Sequence, residues 1–259
     1  MGQYPFDTII IINLKRRKDK LDRILSRIDT LGLNKVFNVV IFDAVDGRDI
    51  NQEWLDKEGV VIQPNYFDPF RHRGITTGEI GCALSHYKSW EMIYNNKDIE
   101  SALIVEDDAV FPDEFLDDLK FIQENVDPMD WELFYLSRKK IRDEKEEEYC
   151  EGIVRPTFSY WCLAYIVNKS GARKLIQTNY LKNLIPSDEY VPFMIGKGNT
   201  TLNRVWKDYG DYSKLLSLAT IRRIINPENI AFDNSETEKS RVYFKNNFYD
   251  DGVDKFIVI

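Results

Sequence analysis

The chain has 259 residues, 43% hydrophobic and 30% charged, which is enough apolar material for one large folded domain and argues against wholesale disorder. Lys plus Arg is 35 against 43 Asp plus Glu, a formal charge of −8, so bulk charge argues against a nucleic-acid partner while a local basic cluster can still hold one nucleotide. The longest early apolar run, Ile9 to Ile12, is too short to span a bilayer, and no later run does better, so no membrane span is expected. Residues 1 to 7 lack the basic flank and apolar stretch of a signal peptide. Cys82, Cys150 and Cys162 are odd in number and scattered, which argues against a disulfide framework and leaves one Cys150–Cys162 bridge open.

Thr8 to Leu14 is β-branched and almost wholly apolar, a buried-type strand. Leu21, Ile24, Leu25, Ile28 and Leu31 follow at helical spacing, and Gly32 stops the helix. Val36 to Phe42 reads as a second strand, and a polar stretch leads to Gly78. Ile80, Ala83, Leu84, Tyr87, Trp90, Ile93 and Tyr94 mark an amphipathic helix. Ala102 to Val105 is a buried strand running into Glu106-Asp107-Asp108. A helix from about Glu114 precedes a strand at Leu133 to Leu136. Residues 138 to 151 are charge-dense and read as a solvated loop or lid. Leu163 to Val167 is a strand, and Ser170 opens a helix through Ile176. Beyond residue 197 the expectation is an irregular tail with one short strand at Thr220 to Ile225. This alternation predicts an α/β fold, a mostly parallel sheet flanked by helices, with ligands at the carboxyl ends of the strands.

Four segments carry candidate chemistry. Glu106 and Asp108, at i and i+2 of an extended segment, face one side and can converge on a hard ion such as Mn²⁺ or Mg²⁺. The bland alternative, an acidic turn after a strand, is the commoner outcome in a chain with 43 acids. Lys15-Arg16-Arg17-Lys18 sits where a strand meets a helix start, a place for a diphosphate or simply a solvated first turn. Asp188 and Glu189 stand in a helix first turn, where acids favour the macrodipole. Ser159-Tyr160-Trp161 is core packing or an aromatic wall for a sugar or peptide. His86 reads as a hydrogen-bonded structural residue. His-x-x-x-His, Cys-x-x-Cys, Gly-x-Ser-x-Gly, Walker A and Gly-x-Gly-x-x-Gly are all absent, so zinc sites, hydrolase elbows and P-loop or dinucleotide sites are not expected.

In this order, eight segments resemble glycosyltransferase family 25. They are Ile11-Ile12-Asn13-Leu14-Lys15-Arg16-Arg17, Asp43-Ala44-Val45-Asp46-Gly47, Thr77 to Tyr87, Val105-Glu106-Asp107-Asp108, Asp130-Trp131-Glu132-Leu133, Ser159-Tyr160-Trp161, Gly171 to Leu175 and Pro186 to Tyr190. Coverage runs from about residue 7 to 196, and the look is that of the procollagen galactosyltransferase branch. The resemblance implies a GT-A-like fold over 1–259, a UDP-sugar donor, Mn²⁺ (or Mg²⁺), and inverting galactosyl transfer to hydroxylysine in collagen-like chains. It implies Glu106 and Asp108 as metal ligands, and Asn13, Leu14, Arg16, Arg17, Ala44, Val45, Asp46, Glu79, Ser85 and Asp107 as nucleotide-sugar contacts. It implies Asp188, with Glu189 second, as catalytic base, and Tyr160 and Trp161 on the acceptor side. Asp233 to Glu238 looks like a family Ser-Asp-Thr-Glu segment, but the histidine expected shortly before it is missing, which leaves the third metal ligand open. A glucosyltransferase or lipooligosaccharide-type transferase is the rival within the family, and an inactive binding or adhesion module is the rival outside enzymes. A homodimer stays open. The compartment also stays open: without a signal peptide a cytoplasmic or host-cell place is expected, and the endoplasmic reticulum lumen is the alternative the resemblance implies.

Overall fold

The structure, a computed structural model, describes residues 3–68, 71–140, 143–196, 206–210, 213–228, 240–244 and 247–249. In chain order the elements open with β1 (Thr8–Asn13), α1 (Lys18–Thr30), β2 (Asn38–Asp43), α2 (Gln52–Glu58), β3 (Ile75–Thr76) and α3 (Thr77–Asn95). Next come β4 (Ser101–Glu106), β5 (Ala109–Val110), α4 (Phe115–Asn125), β6 (Leu133–Lys140), β7 (Glu147–Cys150) and β8 (Ile153–Arg155). The remainder are β9 (Ser159–Asn168), α5 (Lys169–Ile176), α6 (Ser187–Met194), β10 (Ser217–Thr220), β11 (Asn226–Pro227), β12 (Val242–Phe244) and β13 (Asn247–Tyr249).

The main sheet has the order β2-β1-β4-β9-β6-β10-β8-β7. Its pairs are parallel at β2–β1, β1–β4 and β6–β10, and antiparallel at β4–β9, β9–β6, β10–β8 and β8–β7. Six of the eight strands therefore point one way, with β9 and β8 reversed. This is the expected α/β architecture, made mixed by β9 inserting between β4 and β6.

Alternation along β1 divides the core. Ile9 and Ile11 pack with Ile24, Ile28, Phe115 and Leu119 on one face. Ile10 and Ile12 pack with Leu84, Trp90, Tyr190 and Leu175 on the other. β1 lies between two parallel neighbours, so both faces are buried and the run is apolar throughout.

Helix α3 departs from the amphipathic expectation. It is buried on several sides, at Thr77, Ile80, Gly81, Ala83, Leu84, Ser85, His86, Tyr87, Ser89, Trp90 and Ile93. Its small polar residues stay satisfied within the helix, Ser85 Oγ donating to the Gly81 carbonyl at 2.7 Å and Ser89 Oγ to Ser85 at 2.9 Å. Its start is a capping box of Thr76 and Glu79.

The segment expected as a solvated lid at 138–151 is partly sheet. β6 runs on to Lys140, and β7 pairs antiparallel with β8. Arg138 donates twice to Glu146 at 2.6 and 2.7 Å, and Glu146 also accepts from the Thr157 N–H at 2.8 Å, so this pair is held against the sheet while Lys140, Asp143, Glu144, Lys145, Glu147 and Glu148 are exposed. The late strand lies at Ser217–Thr220, ahead of the expected Thr220 to Ile225, because Ile224 and Ile225 are buried on a bend that donates to the Leu136 carbonyl. Cys150 and Cys162 are both free thiols, so the bridge left open by the sequence is not made. Asp233 to Glu238 lie outside the described residues.

Two glycines bring the loop after β2 against α3. A Cβ on Gly81 would lie 2.5 Å from the Val45 carbonyl oxygen, and one on Gly47 would lie 2.6 Å from the Thr77 carbonyl oxygen. Gly81→Ala is therefore expected to cost about 1–3 kcal/mol through overpacking against backbone. Thermal unfolding should show a fall of roughly 2–4 °C per kcal/mol. An unchanged melting temperature would mean that the loop yields freely.

Candidate active site

Three groups of residues meet at the carboxyl ends of the parallel strands. The first is the turn Glu106-Asp107-Asp108 between β4 and β5. The turn is tied down where β5 pairs with β11 and the Glu228 N–H donates to the Asp108 carbonyl at 2.9 Å. Glu106 Oε1 lies 3.3 Å from His86 Nε2 and 3.6 Å from Cys82 Sγ. Burial works to raise Glu106, but His86 beside it holds the carboxyl below the usual range. Asp107 Oδ1 accepts from Lys20 Nζ at 2.9 Å. Asp108 is pushed up to about 6 by burial and then by the charge of Glu106. Its Oδ1 is buried and has no hydrogen-bond partner among the described residues.

The second group gathers at the ends of β1 and β2. Asn13 is 2% exposed, its Nδ2 donates to the Leu14 carbonyl, and its Oδ1 is buried without a partner among the described residues. Arg16 Nε donates to Asp46 Oδ2 at 2.8 Å. The Ala44 N–H donates to the Asn13 carbonyl, and the Val45 N–H donates to Ser85 Oγ at 2.9 Å. Arg17 turns to Asp19, donating from Nε at 3.0 Å and Nη2 at 2.9 Å. Arg17 and the backbone N–H groups of Lys20 and Asp19 hold the Asp19 carboxyl down at about 2, so an internal carboxylate takes the anion position at the start of α1.

The third group comes from β9 and α6. Tyr160 Oη donates to Glu189 Oε1 at 2.5 Å. The Cys162 N–H donates to Asp188 Oδ1 at 2.8 Å. Burial and the charge of Glu106 raise Asp188. Glu189 is pushed up to about 7 by burial and the Asp188 charge, against the lowering effect of Tyr160. Tyr190 anchors this first turn by stacking on Tyr180 at 3.8 Å and donating to the Leu175 carbonyl. Trp161 has φ +81, a conformation bulky residues rarely adopt, at a point where the β6–β9 register slips. The Arg223 guanidinium lies 4.5 Å from its ring centroid.

Residues 6–191 match Glycosyltransferase family 25 (LPS biosynthesis protein). The chain belongs to glycosyltransferase family 25. It is 33% identical over 253 residues to Procollagen galactosyltransferase 2 of Homo sapiens, covering 93% of this chain and 39% of that protein. It is 36% identical over 245 residues to a Glycosyltransferase 25 family member of Aedes aegypti, covering 90% and 38%. It is 37% identical over 193 residues to Inactive glycosyltransferase 25 family member 3 of Homo sapiens, covering 73% and 32%. The chain thus spans less than two fifths of the length of each of these relatives.

Most of the candidate residues expected from the sequence gather in local groups in the fold. Asn13, Leu14, Arg16, Ala44, Val45, Asp46 and Ser85 form one continuous patch. Glu79 is engaged elsewhere, taking two bonds from Arg73 at 2.9 Å and one from the Thr76 N–H at 2.7 Å as the cap of α3. The Glu106 charge helps to raise Asp108, across a turn rather than along the extended strand their spacing suggested. His86 is fully buried, with Nδ1 2.9 Å from Tyr165 Oη, as a hydrogen-bonded structural histidine should be.

Lys20 was not singled out by the sequence. Its signal was present in the basic run, one turn past Arg16, but only the fold shows that it reaches Asp107. The carboxylates fit a hard divalent cation. Glu106, Asp107, Asp108 and Asp188 crowd negative charge, and one buried Asp108 oxygen has no partner.

Proposed function

We propose that this chain transfers galactose from UDP-galactose to hydroxylysine of collagen-like chains with inversion, assisted by Mn²⁺ or Mg²⁺. One observation supports this most strongly: the raised Asp108, with its unpartnered buried oxygen, beside Glu106, whose charge also reaches Asp188. The relatives named as procollagen galactosyltransferases supply the donor and acceptor classes.

Asp108, helped by Glu106, would hold the cation, which would neutralise the charge that builds on the leaving diphosphate. Asn13, Leu14 and the Ala44-Val45-Asp46 turn would hold uridine, with Arg16 fixing Asp46. Asp107 would orient Lys20 toward the phosphates. Tyr160 and Trp161 would wall the acceptor, and Asp188 would take the proton of its hydroxyl. The experiment is turnover of UDP-galactose against UDP-glucose, with and without a hydroxylysine peptide. Preference for UDP-galactose together with peptide dependence supports the proposal, whereas preference for UDP-glucose moves the chain to the glucosyl rival.

A second reading, a family member without transfer activity, is favoured by the 37% identity to the relatives named inactive. Against it stands the presence of Glu106, Asp108 and Asp188 near enough for the Glu106 charge to raise the other two. No UDP release with either donor, together with retained peptide binding, would establish it.

Nucleotide binding should depend on the β1–α1 junction. When diphosphate displaces Asp19 from Arg17, one charge-assisted bond replaces another. Arg17→Ala is therefore expected to weaken UDP binding by roughly tenfold, at the lower end of the range for such bonds. Unchanged affinity by calorimetry would leave Arg17 with a structural role beside Asp19.

A further inference from the structure

The residues beside Glu106 differ in chemistry from the carboxylate set. Cys82 and His86 stand at i and i+4 on α3, one above the other on the same face. A thiol sulfur, an imidazole nitrogen and a carboxylate oxygen from Cys82, His86 and Glu106 all lie within 4.8 Å of one another. The imidazole–carboxylate distance is 3.3 Å and the thiol–carboxylate distance 3.6 Å. Charge-assisted N–H···O bonds normally close to about 2.7–2.9 Å, so the first contact is slack for a direct bond. Metal–nitrogen and metal–oxygen bonds of about 2.0–2.1 Å and a metal–sulfur bond of about 2.3 Å, at tetrahedral angles, place the ligand atoms about 3.3 and 3.5 Å apart. Those are the spacings seen.

We propose that Cys82, His86 and Glu106 form a binding site for a thiophilic divalent cation of the Zn²⁺ class, separate in chemistry from the Asp108 site and sharing Glu106 with it. Sulfur and imidazole select Zn²⁺ over Mn²⁺ or Mg²⁺. The pairing of a thiolate, a carboxylate and a neutral imidazole balances the ion's two charges. On binding, the Cys82 proton leaves to solvent, and His86 coordinates through Nε2 as the tautomer protonated at Nδ1. Tyr165 Oη, 2.9 Å from Nδ1, accepts that N–H with its own hydroxyl hydrogen turned away, while still taking the Trp90 Nε1–H at 2.8 Å. That buried pair fixes the ring with Nε2 toward Glu106, the support metal-bound histidines usually have. Ser187 Oγ, 3.7 Å from Cys82 Sγ, places an oxygen on the α6 side for a fourth position. The absence of His-x-x-x-His and Cys-x-x-Cys does not bear on this site, because its third ligand comes from a strand rather than the helix.

Occupation would withdraw Glu106 from the carboxylate set, so Zn²⁺ would inhibit transfer. Only this consequence and the Mn²⁺ arm of the test rest on the proposed transferase function. The direct test is titration of the metal-free full chain with Co²⁺, read by the thiolate-to-cobalt charge-transfer band in the near ultraviolet. One equivalent is expected to raise the band, and Zn²⁺ to bleach it. Cys82→Ser should remove the band and weaken Zn²⁺ binding at least tenfold while the melting profile stays cooperative. Asp108→Asn should keep the band and lose Mn²⁺ binding. Because His86 is fully buried and its replacement risks the fold, Cys82→Ser carries the test. A band that survives Cys82→Ser but not Cys162→Ser, or no band in the wild type, overturns the site whether or not transfer is ever seen.

Discussion

Asp108→Asn is expected to abolish sugar transfer and, at the same time, to make the metal-free protein harder to unfold. Both effects come from one buried carboxylate. Asp108 is pushed from 3.8 up to about 6 by burial and by Glu106, with one oxygen left unpartnered. An acid raised on folding binds a proton in the folded chain that the unfolded chain has released. Its contribution to stability is therefore whole below the unfolded value and is lost as pH rises through the window from 3.8 to about 6. At pH 7.5 without metal the wild type bears that cost and the Asn variant does not, so the variant should melt roughly 5–10 °C higher. Below pH 4 the difference should vanish. Adding Mn²⁺ should stabilise the wild type and not the variant. Loss of several kcal/mol of charge stabilisation at the leaving diphosphate corresponds to a fall in kcat of roughly a thousandfold. Full transfer by Asp108→Asn, or by the chelated wild type, would make the acidic turn merely structural.

Asp188→Asn is expected to lower kcat by roughly 10²–10⁴-fold with UDP and peptide affinities nearly intact. The variant keeps the oxygen that accepts from the Cys162 N–H, so the tie between α6 and β9 survives and only the proton acceptor is lost. Glu189 is the informative neighbour. It is 4% exposed, bound to Tyr160 and pushed up to about 7, which suits a group that positions the acceptor wall. Glu189→Gln should therefore raise KM for the peptide more than it lowers kcat. If Asp188→Asn stays active and Glu189→Gln does not, the two roles are exchanged. If both stay active, the base lies elsewhere.

The sequence by itself determined the elements whose side chains repeat with a period. The β-branched run Ile9 to Ile12 reads as a strand buried on both faces, and Ile24 and Ile28 as the inner stripe of a helix. It also determined the family, through short segments read in order. It gave no sign of α2, although Asn51 caps that helix and Gly59 ends it at φ +67, because a seven-residue polar helix has too few turns to show an apolar period. Only the tertiary structure decided that β9 runs backwards between β4 and β6, since strand direction depends on pairing between residues far apart in the chain. It alone decided which charges are already spent. Glu79 is held by Arg73 and Thr76, Arg17 by Asp19, and Asp107 by Lys20 from another element. It alone placed Cys82 and His86 beside Glu106, because a helix and a strand meet there by packing, which no spacing along one chain records.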